Sequence, residues 1–398
     1  MRLSNEYLRK AYELRERVSE AERFRITAFY YGFTTGELEK ENQTYELWAE
    51  AYPRESVTHH DLAVNYNIFG QFDRALAEYQ VARRLDPRNA LTVGNLCNVY
   101  ATMGRLDEAK SVLHEARQEK LDHLGLEICA YRLAMFQNNA NEMERAVAWS
   151  TGRSGEEDAM FNIESSRQAS LGRLEKAREF TRRAIDSERR DGLKEVAAGT
   201  VASSALREAE MGNTQEARRQ LAAAIATGED VRNVAALTFA ILGDTSQAQR
   251  IADERSKLRP LDTFVQRVEL PVIRAQIEVA HGRASQAVEI LQGAAPFGFG
   301  TCGDDSWCLP YWLGTAYLRS GQGAAAAAQF QELLNHRRAV MGHRREPLAQ
   351  LGLARAHVLA GDAPQARAAY QDFFALWKDA DPDIPILLAA RSEYVRLK

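Results

Sequence analysis

Apolar and small residues recur along this chain at the three-and-four spacing of an amphipathic helix, in short paired runs separated by glycine. Leu62, Ala63 and Tyr66 fall on one helical face, and Gly70 closes that run. Ala75, Tyr79 and Ala82 share the face of a second run, which Pro87 stops. Small residues where two helices cross, an aromatic beside them, glycine at the turn and proline after the end predict a helix-turn-helix hairpin. The next 34 residues repeat the pattern with Leu96, Tyr100, Gly104, Ala109, Leu113 and Ala116.

A turn glycine followed five residues later by alanine recurs down the chain. The pairs are Gly70/Ala75, Gly104/Ala109, Gly172/Ala177, Gly212/Ala217, Gly243/Ala248, Gly282/Ala287, Gly321/Ala326 and Gly361/Ala366. Asn141/Ala146 fills the gap, asparagine being the next-best residue for a left-handed turn. A single hairpin cannot bury both faces of its helices, whereas stacked neighbours bury them jointly. The expected fold is therefore all-α, an α-α superhelix of stacked hairpins. Sustained period-two alternation, the mark of strands, does not occur.

The pattern divides the chain into an opening helix of a truncated repeat (1–21), regular hairpins (22–123), divergent hairpins (124–292), an irregular loop (293–310) and closing hairpins with a capping helix (311–398). Pro271 predicts a kink inside a long helix over Thr263–His281, or the start of a new one. Ala324–Val340 reads as one helix.

Composition narrows the function more than the fold. A formal charge of −4 over 398 residues gives no general attraction to nucleic acid or anionic membrane. No run of 18 apolar residues suggests a membrane span, and Met1–Lys10 has no apolar signal core. The chain is then either cytoplasmic or cut from something longer, and the helical character of Ser4–Val18 favours the cut. Cys97 and Cys129 sit in helical patterns and read as buried small residues. Cys302 and Cys308 share the irregular loop, where unpaired thiols, a disulfide and half of a metal site are all open readings.

Leu-Ala-x-x-Tyr, then glycine, alanine, and Tyr-x-x-Ala-x-x-x-x-Pro resemble the tetratricopeptide repeat, with Leu62 to Pro87 nearly complete. Four further stretches resemble the carboxy-terminal repeat region of acidobacterial serine/threonine protein kinases: Lys10–Ser19, Thr44–Trp48, Leu258–Arg267 and Phe374–Ile386. That resemblance implies a sensor or scaffold tail, outside the cytoplasm, of a membrane-anchored kinase.

The chain itself shows no catalytic constellation. Neither a His-Arg-Asp nor an Asp-Phe-Gly tripeptide occurs, so no kinase site is expected. Gly298–Gly303 satisfies a dinucleotide pattern but lacks the preceding strand, and reads as a flexible loop. The basic run His336–Arg345 reads as a solvated helix end, and Arg189 and Arg190 as partners of Glu188 and its acidic neighbours. No cofactor, metal or nucleic acid is implied.

The working surface expected is the concave face lined by the first helix of each hairpin. On the best-matched repeats it carries His60, Val64, Asn67, Asn95 and Asn98, whose amides can donate to and accept from an extended peptide. In chaperone-binding members of the family, basic residues clamp a terminal carboxylate; His60 and Val64 depart from that pattern, so chaperone-tail binding is not expected. The leading expectation is a non-catalytic scaffold for a protein or peptide segment, without direct membrane contact. A spacer or self-association module comes second, and an enzyme using Asp304 and Asp305 is remote.

Overall fold

A computed structural model describes residues 2–303, 306–340 and 342–397, and among them every element is helical. The chain divides into two compact units. Unit 1 comprises residues 1–143 and 256–268, and unit 2 comprises 144–255 and 269–398.

The helices of the first stretch are α1 (Arg2–Glu13), α2 (Glu20–Phe29), α3 (Leu38–Ala51), α4 (Ser56–Ile68), α5 (Phe72–Leu85), α6 (Ala90–Thr102), α7 (Leu106–Gln118), α8 (Leu124–Phe136) and α9 (Ala140–Trp149). There follow α10 (Glu157–Ser170), α11 (Leu174–Arg190), α12 (Lys194–Glu210), α13 (Thr214–Ala226), α14 (Arg232–Ile241) and α15 (Thr245–Leu258). The last are α16 (Leu270–Ala280), α17 (Ala284–Ala294), α18 (Leu309–Arg319), α19 (Gly323–Asn335), α20 (Arg337–Val340), α21 (Arg345–Leu359), α22 (Ala363–Leu376) and α23 (Pro385–Val395).

The glycine-alanine rule is followed to the atom. Every turn glycine from Gly70 to Gly361 in the predicted series takes a positive φ. Each alanine five residues on is wholly buried. The reason is steric: an L side chain strains in the left-handed turn, and only a methyl fits where the second helix crosses the first. One turn differs from expectation. The left-handed residue after α8 is Asn138, with φ 51°, and Asn141 lies inside α9. Asn138 keeps the 34-residue register with Gly104.

Pro271 resolves as a helix start. It stands in the first turn of α16, directly after a π-helical turn over Val265–Glu269 that absorbs the missing N–H. His336 breaks the predicted Ala324–Val340 helix into α19 and α20.

The 293–310 stretch is more ordered than an irregular loop. Ala295–Gly303 is 3₁₀-helical with a reversal at Gly298, and Cys302 and Cys308 are joined by a disulfide. Trp307 is buried, Thr301 donates to the Gly298 carbonyl at 2.9 Å, and its hydroxyl accepts the Leu309 N–H at 3.1 Å. This stretch is packed rather than flexible. Asp304 and Asp305, the carboxylates of the enzymatic alternative, lie outside the described residues.

Candidate interaction face

The face expected to work is made by α4, α6 and α8, the first helices of successive hairpins in unit 1. α6 and α8 lie directly against each other because both carry glycine at the crossing. A Cβ built on Gly94 would stand 2.9 Å from the Gly125 carbonyl carbon, so no side chain fits there. One turn further along the same seam, Cys97 and Cys129 form a second disulfide. Their helical pattern predicts buried small residues. Buried they are, but a 32-residue separation conceals that adjacent repeats bring them side by side.

The five expected groove residues divide into two groups. Asn98 is committed internally, since its Nδ2 donates to the Gly94 carbonyl at 2.9 Å and the Gly125 carbonyl at 2.8 Å. Both amide hydrogens are thus spent stapling α6 to α8, and none is left for a peptide carbonyl. His60 is buried, with Nδ1 2.9 Å from the Thr92 hydroxyl and its ring edge-on to Tyr79. Burial and the neighbouring His123 charge lower its pKa, which favours the neutral ring. These two residues hold the repeats together.

Val64, Asn67 and Asn95 are half-buried and remain at the surface of α4 and α6. Asn95 stands beside the buried Tyr79 phenol. Arg132 on α8, which the sequence reading passed over, completes the strip. Its Nη2 donates to the Thr102 hydroxyl at 3.0 Å, and burial lowers the guanidinium to about 10. Spacing from Asn98 to Arg132 equals one repeat, the signal that would have found it.

Two first helices of unit 2, α12 and α21, differ from α4. Residues 347–354 of α21 are buried without interruption, as are 204–209 of α12. A buried run longer than one turn leaves no helical face to solvent. α21 packs against α10, and the Glu210 carboxylate at the end of α12 meets both Arg344 and Arg345. Arg345 is fully buried, 2.7 Å from Glu210 through Nη1, with its guanidinium over the Tyr311 and Trp312 rings. The predicted solvated helix end at His336–Arg345 is therefore corrected at Arg344 and Arg345. Glu188 is likewise buried, held by Asn162 and Thr200, while Arg190 pairs with Glu157.

Among the described residues no group of three or more metal-ligating side chains could hold an ion. A surface cleft of about 250 Å³ in unit 1 lies between α3 and the α4–α5 turn, where Arg74 stacks on Tyr66 at 3.9 Å and bonds Glu46 at 3.2 Å. Its charges are paired.

Tetratricopeptide repeat family models match residues 68–124 and 347–372. The chain thus carries tetratricopeptide repeats, one match falling on the hairpins of unit 1 and the other on α21 and α22. Among solved structures, it is similar to yeast Tom70, at 11% identity over 99% of this chain and 96% of that one, with a TM-score of 0.37. It is also similar to the APC/C hetero-tetramer Cut9-Hcn1, at 14% identity over 97% of this chain and 85% of that one, with a TM-score of 0.45. A tetratricopeptide repeat protein from Parabacteroides merdae is 11% identical over 89% of this chain and 98% of that one, with a TM-score of 0.36. No curated protein matches the sequence.

Proposed function

We propose that this chain is a non-catalytic scaffold that binds an extended peptide or protein segment along α4, α6 and α8 in unit 1. The observation that carries this reading is the half-buried strip Val64, Asn67, Asn95 and Arg132. It combines an apolar contact, amides able to meet a peptide backbone, and a partly desolvated cation, on helices whose spacing is locked by Asn98 and the glycine crossing. His60 and Asn98 act in this reading as supports, not contacts.

The test is selection of binders from a displayed random-peptide library on the immobilised chain, followed by hydrogen exchange of the complex. Protection centred on α4, α6 and α8, lost with Val64→Asp while helicity is kept, supports the reading. Protection elsewhere, or binding indifferent to Val64→Asp, contradicts it.

The wider context of this reading is the tail of a bacterial signalling protein such as a serine/threonine kinase, supported by the four motif stretches named above. All four cysteines are disulfide-bonded, which suits an oxidising compartment outside the cytoplasm. No described helix is long and apolar enough to cross a membrane. Thiol trapping of the native protein before lysis checks the compartment: four protected cysteines are expected, and four reactive thiols would contradict it. A second reading, self-association, is favoured by Tyr7, Phe33 and Leu47, large apolar side chains of unit 1 that are more than half exposed. Sedimentation of the purified chain decides it, since a concentration-dependent oligomer that Phe33→Ser dissolves would support self-association.

A further inference from the structure

Two sequence stretches stand apart from the repeat pattern, 258–267 and 374–386, and neither contributes to the proposed interaction face. In the structure they do the same thing in different units. The Thr263 N–H donates to the carbonyl of the turn residue Gly36 at 2.8 Å. The Thr263 hydroxyl then accepts the Leu38 N–H at the start of α3, at 3.2 Å, sharing that donor with the Gly36 carbonyl at 3.0 Å. In unit 2 the Asp381 N–H donates to the carbonyl of the turn residue Gly172 at 2.9 Å. The Asp381 Oδ2 then accepts the Glu175 N–H, an orphan donor at the start of α11, at 2.8 Å.

The likeness continues on both sides of this core. The residue before each strap's key residue lies on the turn glycine: a Cβ on Gly36 would stand 2.5 Å from Asp262, and one on Gly172 would stand 2.5 Å from Ala380. Each glycine thus serves two needs, the left-handed turn and the seat of the strap. A salt bridge flanks each site, Arg267 to Glu39 at 2.7 Å and Arg173 to Asp379 at 2.9 Å. In unit 2 the Trp377 indole N–H also reaches the Ser170 carbonyl at 2.9 Å, and the Ile386 N–H reaches the Met211 carbonyl at 3.3 Å.

We propose that 258–267 and 374–386 are two copies of one strap, each of which closes its unit by capping a helix more than two hundred residues earlier. A repeat array held only by nearest-neighbour contacts opens locally and end by end. A contact across 225 residues in unit 1 and 206 residues in unit 2 ties distant hairpins together, so that they open as one. The strap acts through helix capping, in which a side-chain oxygen satisfies a backbone donor that the helix itself cannot. Here the capping residue comes from far along the chain instead of from the residue before the helix.

The test is hydrogen exchange of the full chain carrying isosteric pairs. Thr263→Val removes the accepting oxygen and Thr263→Ser keeps it; Asp381→Ala removes it and Asp381→Asn keeps it. Thr263→Val is expected to speed exchange of the Leu38 amide roughly fivefold, and Asp381→Ala that of Glu175 to the same degree, as loss of a helix cap does. The Ser and Asn variants should exchange like the parent. A second measurement holds if either variant folds poorly: reversing Arg173 to Asp should speed exchange across 377–386, and adding Asp379→Arg should restore it. Unchanged exchange in Thr263→Val and Asp381→Ala, or no rescue by the charge swap, would overturn the proposal.

Discussion

α4 of unit 1 and α21 of unit 2 occupy the same place in their hairpins, yet they meet different surroundings. α4 leaves Val64, Asn67 and Ile68 half-buried at three-and-four spacing, while α21 is buried from Pro347 through Ala354. Both helices obey the same turn rule, and both have their second helix packed against a buried alanine, Ala75 and Ala366. What differs is the residue at the helix start. In α21, Arg344 and Arg345 engage a carboxylate from α12, and the helix is thereby drawn into the interior of its own unit. The same repeat can therefore present a face or consume it, according to a few charged residues that the repeat pattern does not specify.

The largest expected effect breaks the closed side of this comparison. Glu210→Ala leaves two buried guanidinium groups without their carboxylate, which should cost roughly 3–5 kcal/mol in denaturant unfolding. No comparable loss is expected from Asn67→Ala on the open side.

Reduction of the disulfides should separate the units next. Cys97–Cys129 closes 32 residues and Cys302–Cys308 only six, so loop entropy predicts losses of roughly 3–4 and roughly 2 kcal/mol. Cys→Ser pairs measured by urea unfolding check the order.

Glu41 gives unit 1 a pH signature. Its carboxyl is buried, and burial together with the Asp61 charge raises its pKa to about 7 despite the opposing influence of the neighbouring Asn65 side chain. An unfolded Glu titrates near ~4.3, so between these values the folded chain keeps a proton that the unfolded chain has released. This stabilisation is complete below the unfolded value and is lost as pH rises toward 7. Glu41→Gln should therefore match the parent near pH 4 and exceed its stability by up to roughly 3 kcal/mol near pH 8, read by urea unfolding across pH.

Smallest is Gly94→Ala, which forces α6 away from α8. A loss of about 1–2 kcal/mol is expected, together with weaker peptide capture, since the strip depends on that spacing.

Much of the fold was legible because the repeat repeats. A left-handed glycine and a buried alanine five residues later are local constraints, and eight hairpins show them in one chain. The face was legible only in part. Its helices could be named from the register, but whether Asn98 was free depended on the Gly125 carbonyl, 27 residues away, and Arg132 emerged only once α8 was seen beside α6. The Cys97–Cys129 bond was hidden for the same reason. The strap contacts were the least legible, because partners more than two hundred residues apart leave no periodic trace.

Hydroxyl-radical footprinting of the intact chain, read by mass spectrometry, tests the central contrast most directly. Val64 and Ile68 of α4 should be modified at readily measurable levels, while Leu348, Leu351 and Leu353 of α21 and the neighbouring Trp312 stay protected. Modification of those α21 leucines and Trp312 at the level of Val64 would show that α21 presents a face just as α4 does, and would contradict the account.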